Sequence, residues 1–248
     1  MSMRPGIALA LLAVLAACHA PERRAPGPLV VLIGDSTTAG YGGPQGYVGA
    51  PAAPLSALTS LLPEDSRWRH AVVVNLGVPN TSTMEWAVAT SPCPSAPSVG
   101  PDAPAWVQLG ARACPTGAPL VEQVAALVGR PIDLALVVLG TNDRYRNPSA
   151  TPEDTIARLR TIVARLAPAR VLIASPHWTT HPARAAFVES LARQLRAGGL
   201  LSGPDFARIH LPLDPSRVHL TYGGFVAAAG LWLDALRRLE APPVPPRS

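Results

Sequence analysis

Leu29-Val30-Val31-Leu32-Ile33-Gly34-Asp35-Ser36 decides how this 248-residue chain is read. Five branched aliphatics in a row predict a strand buried on both faces, as in a parallel sheet. Open α/β sheets carry their active sites at the carboxyl ends of such strands, which is where Gly34-Asp35-Ser36 falls. Thr37, Thr38 and Gly40 can then start a turn that projects the Ser36 hydroxyl into a cleft. A serine there can equally cap the next helix, and the tripeptide alone leaves both readings open.

Three further segments bear on the choice. Asn75-Leu76-Gly77 follows the strand-like Ala71-Val72-Val73-Val74. Gly140-Thr141-Asn142-Asp143 follows a second long apolar run, Leu134 to Leu139. His219 lies in Asp214-Pro215-Ser216-Arg217-Val218-His219-Leu220-Thr221, just before an apolar helical pattern. Ser, Gly, Asn and His in that order, three of them at strand ends, resemble the SGNH hydrolases, also called GDSL esterases and lipases, over residues 29 to 240. The resemblance implies an ester hydrolase with Ser36 as nucleophile and His219 as its base. It also implies an oxyanion hole built from the backbone N–H of Ser36, the backbone N–H of Gly77 and the side-chain amide of Asn142.

Those residue types suit the chemistry. A serine hydroxyl is a poor nucleophile near neutral pH and needs a base within hydrogen-bond reach. Neutral donors stabilise a developing oxyanion without adding a charge that would perturb that base. The other histidines fit less well. His19 lies in a tether, His70 precedes a strand and His210 falls in an expected edge strand, while His177 and His181 follow the fourth strand, where they could line a pocket. Asp35 and Asp143 read as loop-holding carboxylates and are assigned no catalytic role.

The sequence departs from the family in two places. Pro79-Asn80-Thr81 stands where the family has a further glycine, which weakens the case for Gly77. The family's last motif puts aspartate three residues before the histidine, and here that residue is Ser216, with Asp214 five before. On a helix, three residues separate side chains by roughly 60° and five by roughly 140°. Asp214 therefore orients His219 only through an extended or looped segment, which Pro215 favours. Otherwise Asp214 is a turn residue and the enzyme a Ser–His dyad.

Composition bounds the remaining possibilities. Hydrophobic residues make up 48% of the chain and charged residues 15%, enough apolar material for one α/β domain with a sizeable core. The net charge is +5, yet all 21 basic residues are arginine and none is lysine. That excludes a Schiff-base lysine, a P-loop lysine and a lysine base. The arginines are scattered among acids, so no nucleic-acid partner is expected, and neither a cofactor nor a metal.

Arg4 precedes an apolar stretch from Ile7 to Ala17, too short to span a bilayer and suited to a signal-peptide core. Leu15-Ala16-Ala17-Cys18 resembles a bacterial lipobox, which implies lipidation of Cys18 and a place in the cell envelope, on the outer membrane or periplasmic face. An ordinary signal peptide cut at the small residues, giving a secreted protein, is the other reading. Cys93 and Cys114 then remain in an oxidising compartment. They lie near the two ends of the Pro- and Gly-rich stretch 91–119, where a disulfide would contribute on the order of 3 kcal/mol. Metal binding competes, without a third ligand nearby.

The expected organisation is a signal peptide over 1–17, a tether over 18–28, a hydrolase domain over 29–240 and a proline-rich tail over 241–248. Apolar runs alternate with helical patterns, so the fold class is α/β. It is a single three-layer α/β/α domain, flavodoxin-like, with a mostly parallel sheet of about five strands, including an edge strand at 207–211. The expected function is a monomeric esterase acting on a carbohydrate acyl ester or a lipid or lysophospholipid ester. Its only membrane attachment would be the lipid anchor. An O-acyltransferase on an envelope glycan would use the same serine, and an inactive ester- or glycan-binding module is the reading from another class.

Overall fold

Alternate residues of the first strand, β1 (Leu29–Gly34), go to opposite faces of the sheet and into two separate cores. Leu29, Val31 and Ile33 pack with α3 (Thr83–Ala87), α4 (Leu120–Val128), α6 (Pro152–Leu166) and α7 (Ala185–Ala197). Val30 and Leu32 pack with α2 (Ala52–Thr59) and the C-terminal α8 (Tyr222–Glu240). The period-two alternation of a strand places both sets. Because both faces are covered, the strand has no polar side, as the unbroken aliphatic run requires. The computed structural model describes residues 27–40, 52–89 and 117–240. The expected signal peptide at 1–17, Cys18 and the expected tether up to residue 26 lie outside the described residues, as do residues 47–51 of a helix the sequence predicts over Tyr47 to Leu62, Cys93, Cys114 and the expected tail at 241–248.

The sheet is parallel, in the order β2-β1-β3-β4, with β2 at Val72–Asn75, β3 at Leu134–Val138 and β4 at Arg170–Ile173. From β1 the chain crosses to one side for β2 and then returns past β1 for β3. The crevice between diverging connections therefore opens at the carboxyl ends of β1 and β3, where such sheets bind ligands. Gly34 pairs with Val138 in this register, so Asp35-Ser36 and Gly140-Thr141-Asn142 leave the sheet side by side. Ladder bonding also starts early: Val72 N–H donates to the carbonyl of Pro28 at 2.9 Å, which ties the end of the expected tether to the domain.

Local signals in the sequence set the helix starts. Thr151 and Asp154 form a reciprocal capping box ahead of Pro152 in the first turn of α6, and Ser82 with Glu85 forms another at α3. Each cap is worth about 1 kcal/mol. The sheet has four strands among the described residues rather than five. Residues 207–211 form no edge strand; a short 3₁₀ turn, Phe206–Arg208, stands there instead. The chain meets the end of β4 mostly before residue 207: the Ser202 and Gly203 N–H groups donate to the Ile173 carbonyl, Ser175 N–H donates to the Pro204 carbonyl and Trp178 N–H to the Phe206 carbonyl. Pro204 and Pro212 flank the segment and supply no N–H, so no ladder can continue. Among the described residues no helix is long and apolar enough to cross a membrane.

Candidate active site

Ser36 is the partly exposed member of an otherwise buried run from Val31 to Gly40. It opens α1 (Ser36–Ala39), whose cap is Asp35: the Asp35 carboxylate accepts the Thr37 N–H at 3.0 Å. Ser36 is thus the first helical residue rather than the cap, and its N–H has no acceptor within the helix. Gly40, with φ of 87°, ends the turn in the left-handed conformation. Gly34 is required by close approach, since a Cβ there would lie 1.9 Å from Thr38 Oγ1.

His219 arrives from a different part of the chain. Leu213 and Leu220 form an isolated antiparallel bridge, and Asp214 N–H donates to the His219 carbonyl at 2.9 Å. The enclosed turn carries Arg217 at φ of 61°, a left-handed conformation that costs about 1 kcal/mol for a non-glycine residue. The loop after β4 pins it: Thr179 Oγ1 donates to the Arg217 carbonyl, and His177 Nε2 donates to the Val218 carbonyl. Burial pushes the His177 pKa down to about 4, so its ring is a neutral structural donor. In this frame the Ser36 Oγ and His219 Nε2 stand 3.1 Å apart, 183 residues distant in sequence.

The other ring nitrogen, Nδ1, lies 3.2 Å from the Ser216 hydroxyl oxygen. That hydroxyl also contacts Asp214 Oδ1, which in addition accepts the Ser216 N–H at 3.0 Å. Asp214 is 8% exposed and reaches His219 through Ser216. The segment is a loop, as Pro215 implied, so the helical spacing does not govern it. Burial pulls the His219 pKa below its ordinary value; the Asp214 charge opposes that and the Arg184 charge adds to it.

Gly77 is drawn to the same place because the chain after β2 keeps following β1: Leu76 N–H donates to the Leu32 carbonyl and Val78 N–H to the Gly34 carbonyl. A Cβ on Gly77 would lie 2.4 Å from the Ala39 nitrogen, so only glycine can pack against α1 here. Its N–H donates to Asn75 Oδ1 at 2.9 Å. Asn142, buried at the end of β3, donates from Nδ2 to the Thr81 carbonyl at 3.0 Å and to Asp35 Oδ2 at a long 3.4 Å. Its Oδ1 accepts from Arg184 Nη2 at 3.4 Å.

Asp143, the first residue of the short α5 (Asp143–Arg146), joins the loops behind the site. It accepts the Thr83 N–H at 3.1 Å, the Thr155 hydroxyl at 2.9 Å and the Thr83 hydroxyl. Burial raises its pKa, and burial likewise pushes that of Asp35 up to about 6. Arg184 is the site residue that the sequence did not single out. Its guanidinium lies 4.0 Å over the ring of Tyr145, and burial lowers its pKa. No local motif marks it; it opens α7 without capping it. Among the described residues no three His, Cys, Asp or Glu side chains converge as a metal site would need.

No protein-family model matches the sequence, and no curated protein matches it. Solved structures do. An aryl esterase from M. smegmatis superposes with a TM-score of 0.57 at 19% identity, over 86% of this chain and 100% of that one. A carbohydrate acetylesterase family member from Sinorhizobium meliloti gives 0.56 at 20% identity, over 86% and 98%. The chain has the SGNH hydrolase fold. A lipase/acylhydrolase from Enterococcus faecalis gives 0.56 at 16% identity, over 86% of this chain and 95% of that one.

Proposed function

We propose that this SGNH-fold protein is a serine esterase that cleaves acyl esters through an acyl-serine intermediate. The observation that carries this reading is the Ser36 Oγ–His219 Nε2 contact of 3.1 Å at the carboxyl end of the central strand. His219 Nε2 takes the hydroxyl proton as Ser36 attacks the ester carbonyl, then returns it to the departing alcohol. Water repeats the sequence in reverse and frees the acid. The Ser36 N–H, at the positive end of α1, is a donor already without a helical acceptor. Asn142 joins it by exchanging its long contact to Asp35, and Gly77 by releasing Asn75. Asn142 needs the smaller rearrangement.

The carbohydrate acetylesterase that shares the fold supports a short acyl group on a carbohydrate as the substrate, and the lipase/acylhydrolase supports the alternative of a lipid or lysophospholipid ester. A lipid anchor on Cys18 would put the enzyme at the bacterial cell envelope, where such esters occur. Fluorophosphonate labelling tests the reading, because it requires a nucleophilic serine. Wild-type protein is expected to label at Ser36 and to hydrolyse 4-nitrophenyl acetate, and folded Ser36→Ala protein to do neither. Wild-type protein that binds acyl esters without labelling would make the chain a binding module.

A further inference from the structure

We infer that Ser216 is a positioning residue that relays Asp214 to His219, so that the base is held by a serine hydroxyl instead of a directly bonded carboxylate. The inference rests on the esterase reading and deepens it.

Hydrogen-bond direction follows from the chemistry of the three groups. A carboxylate oxygen only accepts, so the contact between Ser216 Oγ and Asp214 Oδ1 uses the serine proton. The serine oxygen then faces His219 Nδ1, at 3.2 Å, with lone pairs alone. Nδ1 must carry the hydrogen. The neutral ring is thereby held as the Nδ1–H tautomer, and the Nε2 lone pair is the atom that points at Ser36 Oγ. That is the tautomer a general base for Ser36 requires.

The hydroxyl is fixed from several sides. The N–H groups of Val218 and His219 approach its oxygen at 3.2 and 3.3 Å, while the Ser216 N–H is itself held by Asp214. Asp214 is nearly buried, and its second oxygen has no hydrogen-bond partner among the described residues. A carboxylate placed there for the turn alone would stay cheaper in water. When Ser36 gives its proton to Nε2, no further proton moves. The imidazolium strengthens its Nδ1–H bond to Ser216, whose hydroxyl is already polarised by the Asp214 charge.

Among the described residues, the groups facing His219 include Asp214 and Ser216 on its own loop, Ser36 on α1, Arg184 at the start of α7, and His177 on the loop after β4. Of the charged groups among them, Asp214 is the one that favours the protonated ring. Cutting its path through Ser216 should lower the apparent pKa of the base.

The test compares Ser216→Ala, and the shape-matched pair Ser216→Thr and Ser216→Val, as full-length protein hydrolysing 4-nitrophenyl acetate across pH. Thr keeps the hydroxyl and should retain most activity. Val and Ala should lose at least about 10²-fold in kcat, short of the ~10⁴-fold loss when a directly bonded triad aspartate is neutralised. Their acid limb should move to lower pH. Asp214→Asn should cost little more once Ser216→Ala is present, since the two act through one contact. Asp214→Asn combined with Ser216→Asp, which puts one carboxylate directly on Nδ1, should recover turnover and pH profile.

Equal activity of the Thr and Val variants, or losses at Ser216 and Asp214 that multiply independently, would overturn the relay. Wild-type labelling by fluorophosphonate separates this failure from failure of the esterase reading. If Ser36 labels and the Ser216 variants behave as wild type, only the relay falls. If wild-type Ser36 does not label, the esterase falls and the relay with it.

Discussion

Replacing Asp35 by Asn should stabilise the protein at neutral pH and do nothing for it in acid. Burial raises the Asp35 carboxyl from 3.8 to about 6, against the opposing pull of the Thr37 N–H and the Arg184 charge. The folded state therefore binds this proton more tightly than the unfolded chain. Below 3.8 both states are protonated and nothing is lost. As pH rises from 3.8 to about 6 the unfolded state is ionised while the folded state keeps its proton, and stability falls by about 3 kcal/mol at 1.36 kcal/mol per pH unit. Asparagine keeps an oxygen for the Thr37 N–H and carries no charge to desolvate. The variant should match wild type near pH 3.5 and exceed it by about 3 kcal/mol at pH 8. Urea unfolding of both proteins at several pH values measures this gap. Buried groups that do not interact with Asp35, His177 among them, titrate in both proteins and cancel from the difference. A gap that stays constant with pH, or a variant less stable at pH 8, would refute burial as the dominant influence on Asp35.

Three further outcomes are expected. Asn142→Ala should lower kcat by roughly 10²–10³-fold, the range for loss of one oxyanion donor; steady-state kinetics that move only KM would restrict Asn142 to substrate binding. Arg184→Met removes a positive charge that holds the His219 pKa down, so the acid limb of kcat/KM should shift to higher pH. An unmoved limb would separate Arg184 from the base. Envelope-expressed protein should carry lipid on Cys18 and a Cys93–Cys114 disulfide, and free thiols at both positions in non-reduced peptide mass spectra would exclude the pairing.

Much of this architecture was legible from local chemistry. The aliphatic runs at 29–33 and 134–139 are strands because only a sheet covered on both faces accommodates five or six apolar residues in succession. The α6 start was readable at Thr151-Pro152-Glu153-Asp154, because a cap, an early proline and first-turn acids act within one helical turn. The 207–211 segment is no strand although Ala207, Ile209 and Leu211 alternate with polar residues: a strand also needs a neighbour able to exchange backbone bonds, and flanking prolines deny it one.

The site divides along the same line. Ser36 and Asn142 can be placed from the sequence because the ends of buried strands follow from apolar runs, and His219 because the order of the motifs resembles the SGNH hydrolases. Their convergence cannot be read there. A 3.1 Å contact across 183 residues exists only because β1 pairs with β3 and a pinned loop returns His219 to that edge. Ser216 shows the limit most clearly. In the sequence it is the residue where an acid is missing. In the fold a turn of six residues brings Asp214 to its hydroxyl and its oxygen to His219. Hydrogen bonds depend on angstroms and direction, which sequence spacing specifies on a regular helix or strand but not in a loop. Arg184 likewise becomes a site residue only through tertiary packing, which lays its guanidinium between Tyr145 and Asn142.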